Sequence, residues 1–159
     1  MKLGLVLREL HRAETALAKD LLKTSDRHQA EHEVHHVARD LAGWSAAHLR
    51  ELARAGRDHD LDLGEDVPGP GPLVPLRTAL AELSGRRPEP GLLLLADLRR
   101  LHRRAAGVSL DWELLAQGAQ AAKDTKLLEL ASRCHPQTLR QLKWTNATLK
   151  VLSPQILTS

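Results

Sequence analysis

At 159 residues, with 42% hydrophobic and 27% charged side chains, the chain is long enough for one domain with its own core and too apolar to be disordered throughout. Phe and Tyr are absent and Trp occurs three times, whereas Leu and Ala abound, so the composition excludes a sheet-rich fold and points to an all-α domain. A formal net charge of +3, with acidic and basic residues interspersed, argues against nucleic acid as a partner.

In chain order, Leu3, Val6, Leu7, Leu10, Ala13, Leu17 and Leu21 recur every three or four residues and predict a first helix over about 2–22. Thr24, Ser25 and Asp26 then read as turn and N-cap residues. Val34, Val37, Leu41, Ser45, His48 and Leu52 carry the stripe of a second helix, and the two form a hairpin over 2–55. The pattern breaks down over 56–91, where Val67-Pro68-Gly69-Pro70-Gly71-Pro72 and Pro88-Glu89-Pro90-Gly91 are helix-breaking; only Leu76 to Ser84 suits a short helix in this crossover. A second hairpin over 92–152 follows. Its first helix carries Leu94, Leu98, Leu101, Ala105, Val108 and Leu115, and its second carries Leu127, Ala131, Leu142, Leu149 and Leu152 after a turn at Asp124-Thr125. Pro136 predicts a bend or a fresh start near His135, and Ser153-Pro154 predicts the helix end, with 153–159 as a tail packed on the bundle.

Charges at Lys2, Arg8 and Glu9 interrupt the apolar residues at the start, so no secretory pattern opens the chain. The longest uncharged apolar run, Gly91 to Ala96, is too short to cross a bilayer, and the single Cys134 forbids an internal disulfide; the expectation is a cytoplasmic protein without a membrane partner. Leu92 to Leu95 is apolar all round, wider than one core-facing stripe, and so predicts either cover by the crossover or a homodimer. Arg99, Arg100, Arg103 and Arg104 splay around a helix whose Leu98 and Leu101 point inward, the pattern of a solvated face.

Residues 44–52 and 144–152 agree at Trp44/Trp144, Ser45/Thr145, Ala47/Ala147, Leu49/Leu149, Arg50/Lys150 and Leu52/Leu152, an offset of one hundred that marks a doubled unit. Two helical hairpins, one long connection and this internal repeat resemble the ferritin-like superfamily of up-down four-helix bundles over most of the chain. The resemblance implies a di-iron or di-manganese centre with one Glu on each of two helices and a Glu-x-x-His on each of the other two. Glu14 stands where an inward carboxylate would be, but its counterpart is Leu114; the Glu-x-x-His places read Ser45-Ala46-Ala47-His48 and Thr145-Asn146-Ala147-Thr148. Shifting the frame brings in Asp40, Glu51, Asp97, Glu113, Ser132 and His135 without yielding two such motifs.

Paired cations need several carboxylates to offset their repulsion, so one Glu and one His predict a degenerate centre with no cofactor. The bland role for Glu14 and His48 is a buried polar pair, satisfied by Ser45, Thr145 or Thr148, that fixes the register of a Leu-rich core. The competing reading keeps them as ligands of iron, manganese or zinc in an oxidase or storage protein. Trp44 before His48 also resembles the damage-inducible metal-binding bundles, which imply a later His-x-x-x-His, whereas the second half offers His102 and His135 alone. His28, His32 and His36, four residues apart at the start of the second helix, form a weaker surface candidate for zinc, nickel or copper. Cys134 and His135 are adjacent on a helix and point apart, so they form no dyad. The sum is a non-catalytic bundle acting by binding or assembly.

Overall fold

In a computed structural model of the protein, residues 2–71, 76, 77, 79, 80, 85 and 89–159 are described. Among them are four long helices and no strand, compatible with a four-helix bundle: α1 (Leu3–Arg27), α2 (His32–Arg57), α3 (Pro90–Ala121) and α4 (Thr125–Thr158). The short helix anticipated over 76–84 lies largely outside the described residues. No helix among these residues is long and apolar enough to cross a membrane.

The Leu stripes place each helix. Leu3, Leu7, Leu10, Leu17 and Leu21 on α1 meet Leu98, Leu101, Val108 and Leu115 on α3 in one buried cluster that also takes in Val34 and Leu41 of α2 and Leu127 and Leu130 of α4. Leu3 abuts Gly118 while Arg27 reaches Asp97, so α1 and α3 are antiparallel. Gln141 bonds to Leu41, Gln137 to His48 and Arg133 to Glu51, which makes α2 and α4 antiparallel as well. Ser109–His135 and His102–Thr145 contacts set α3 against α4 in the same manner.

Several boundaries differ from the sequence reading. α1 continues through Thr24 and Ser25, because Thr24 Oγ1 donates to the Asp20 carbonyl (2.8 Å) and Ser25 Oγ to the His35 carbonyl (2.7 Å). With their hydroxyls engaged in this way, neither residue caps, and the turn falls at 28–31 instead. Asp124 does cap α4, accepting from Leu127 N (3.1 Å). α4 neither restarts at Pro136 nor ends at Ser153-Pro154; it runs through both prolines to Thr158. Both rings are on the exposed side, where water can serve the carbonyl that each missing N–H leaves free. The expected tail is therefore helix, and its Ile156 lies against Gly91, where a Cβ would come within 2.9 Å of the Ile156 side chain. In the apolar run beside it, Leu94 is buried while Leu92 stays exposed.

The offset of one hundred holds on α2 and α4: Ser45 and Thr145, and His48 and Thr148, all face the core. It fails between α1 and α3. Glu14 is buried and Leu114 is exposed, because the turns at 28–31 and 122–124 differ in length and shift the phase of the preceding helices. The residue that α3 sends toward Glu14 is Trp112, in step with Leu101, Ala105, Val108, Leu115 and Ala119 on the buried seam.

Candidate functional site

Glu14 of α1 and His48 of α2, the two residues singled out from sequence, meet at mid-bundle. His48 Nδ1–H donates to Glu14 Oε1 (2.7 Å), and Trp112 Nε1–H donates to the same oxygen (3.0 Å). His48 Nε2–H donates to Gln137 Oε1 (2.7 Å) of α4, so all four helices contribute one side chain. Glu14 and Trp112 are fully buried and His48 nearly so. Burial on its own pushes the His48 pKa down. Hydrogen bonding to the Cys134 sulfur and to Glu14, with the negative charge of the Glu14 carboxylate, outweighs that and raises it from 6.5 to about 10, so the ring is an imidazolium whose two N–H groups are taken by Glu14 and Gln137.

The partners foreseen for this pair are not the ones found. Ser45 accepts instead from Gln141 Nε2 (2.9 Å), which also donates to the Leu41 carbonyl, and Thr145 is bonded to His102 (3.0 Å); Thr148 lies a turn beyond. Reach explains the difference. Hydroxyls on α2 and α4 are too short to cross the core to Glu14, whereas Trp112 and Gln137 span it. The seam position of Trp112 was readable from the spacing of α3; Gln137, half-buried beside the buried Thr138, gave no such signal.

A dinuclear metal centre does not fit these residues. Glu14 is the one carboxylate present, Leu114 faces solvent, and Ser45, Thr145 and Thr148 stand where further ligands are required. Glu14 Oε2 has no hydrogen-bond partner among the described residues, but one free oxygen cannot neutralise two cations. Among the described residues no group of three or more His, Cys, Asp or Glu is placed to hold a metal ion.

The histidine stripe anticipated on α2 is split. His28 lies in the turn before α2, buried, and donates to Asp97 Oδ2 of α3 (2.7 Å), while His32 and His36 are exposed on α2. Asp97 is also buried and accepts from Arg27 through both oxygens (3.2 Å each). This cluster ties the α1–α2 turn to the start of α3. Asp97→Ala strands a buried imidazole and removes the counter-charge of Arg27; the expected loss is about 2 kcal/mol, read as a lower urea midpoint with unchanged slope.

Two concavities flank the core. A cleft of about 390 Å³ where α2 ends and α4 begins is lined by charged side chains, among them two pairs, His59 with Asp124 (3.3 Å) and Arg133 with Glu51 (3.4 Å). A groove of about 160 Å³ between α2 and α4 is lined by Val34, Trp144, Val151 and Leu152. No family model, curated protein or solved structure matches the chain.

Proposed function

We propose that the protein is a ferritin-like helical bundle whose metal-holding interior has become a fixed polar network, and that it works by binding or assembly in the cytoplasm rather than by catalysis. The observation that carries this reading is the engagement of His48 and of one Glu14 oxygen by neighbouring side chains: Glu14 Oε1 receives two donors and both nitrogens of His48 are bonded. Support for the ferritin-like part comes from the directions of the helices. α2 and α3 run the same way, which requires a connection the length of the bundle between two antiparallel pairs. The inward pairs Ser45/Thr145 and His48/Thr148 support a doubled origin.

The competing reading is a ferritin-like or damage-inducible-type metalloprotein that keeps Glu14 and His48 as ligands. It draws on the unpartnered Glu14 Oε2. Elemental analysis of untagged protein from iron-, manganese- and zinc-supplemented medium separates the two. The expected result is substoichiometric metal in both the native chain and Glu14→Ala; a stoichiometric metal that Glu14→Ala or His48→Ala abolishes overturns the proposal.

A further inference from the structure

The outward face of α3 combines features that the described residues of the chain do not use. Arg99, Arg103, Gly107, Leu110 and Leu114 follow one another at helical spacing along a single stripe. Leu110 is 66% exposed and Leu114 59%, and on α4 Leu139 is exposed as well, at 49%. Between the arginines and the leucines lies Gly107, in the interior of a 32-residue helix, with no atom of the described residues within 4 Å of where its Cβ would be. Glycine is among the least favourable residues at such a place, and nothing among the described residues requires it there.

The charges along the same helix are polarised. Arg99, Arg100, Arg103 and Arg104 occupy its first half, and Asp111 and Glu113 the second. Arg104 pairs with Asp20 and Arg100 approaches Asp97, whereas Arg99 and Arg103 meet no carboxylate among the described residues. Glu113 is largely exposed; Gln117 donates to it (3.2 Å) and His135 comes no nearer than 3.8 Å, so no Lys or Arg among the described residues offsets its charge. A uniformly basic stripe would suit a polyanion; a helix basic at one end and acidic at the other, with apolar side chains between, suits its own reverse.

We propose that this face of α3 is a self-association surface on which two copies of the chain pair antiparallel about a twofold axis that crosses the helix midway between Gly107 and Leu110. The inference deepens the assembly reading above and rests on it. In that arrangement Leu110 of each copy enters the open notch over Gly107 of the other, and Leu114 lies along the aliphatic stem of the partner's Arg103. Glu113 then comes opposite the partner's arginine-rich half, and the twofold makes every such contact twice. α3 is about 48 Å long at 1.5 Å per residue, enough to supply an interface of ordinary size together with Leu139.

Sedimentation velocity over about 1–100 µM tests it. The native chain should sediment at twice its 17.6 kDa mass at the upper end. Leu110→Glu should weaken the dimer at least about tenfold without changing the helical signal or the melting temperature of the monomer, since the side chain is exposed. Arg103→Glu and Glu113→Arg should each weaken association, and the two together should restore it. A native chain that stays at monomer mass throughout, or a dimer indifferent to Leu110→Glu and to the charge reversals, overturns the proposal. Metal content measured on the same samples keeps the two readings apart: a metal-free monomer removes this surface alone, and a dimer with stoichiometric metal removes the polar-network reading alone.

Discussion

Glu14→Ala is expected to destabilise the protein by about 3–5 kcal/mol, because it leaves an imidazolium buried without its counter-charge and the indole N–H of Trp112 without an acceptor. In a domain of this size that lowers the melting temperature by roughly 10 °C or more. The loss is not the intrinsic worth of the ion pair. Removing both charges with Glu14→Leu/His48→Leu should recover part of it, since the desolvation cost of each group disappears along with their attraction. The measurement is a thermodynamic cycle of the two singles and the double by urea denaturation; strict additivity would show that the two residues are not coupled.

Alkaline pH is expected to weaken the fold through the same ring. His48 binds its proton more tightly in the folded chain, with a pKa of about 10 against 6.5 when unfolded. Its contribution is therefore complete below about pH 6.5 and is lost progressively as the pH rises through about 10, a total on the order of several kcal/mol. The structural cause is the donor count. A neutral imidazole carries one N–H, so Glu14 Oε1 or Gln137 Oε1 must lose its His48 donor. Urea midpoints measured from pH 6.5 to 10 should fall for the native chain, while His48→Gln should start lower and vary less; parallel curves would refute the assignment.

Much of the bundle was legible because Leu recurs at helical spacing on a background without Phe or Tyr, and the same stripes exposed Glu14 and His48 as polar residues on apolar faces. Helix ends were less legible. Thr24 and Ser25 carry cap chemistry but spend their hydroxyls on Asp20 and His35 carbonyls, and Pro136 and Pro154 are tolerated because their rings face solvent. That shift of α1 by several residues moved His28 off the α2 stripe and onto Asp97, a pairing 69 positions away that local spacing does not reveal. The partners of the central pair were hidden for a related reason: which helix faces which is a property of packing, so the long reach of Trp112 and Gln137 mattered more than the nearness of Ser45 in sequence.

The indole of Trp112 stands edge-on to the His48 ring, with centroids 5.8 Å apart and an interplanar angle of 83°. A protonated imidazole accepts an electron from an excited indole more readily than a neutral one, so Trp112 emission is expected to be quenched while the ring holds its proton and to brighten when the proton leaves. Trp44 and Trp144, half-buried elsewhere, supply a background. The chain thus carries its own optical gauge, and the state of the proton at the centre of the bundle can be followed by light with no label added.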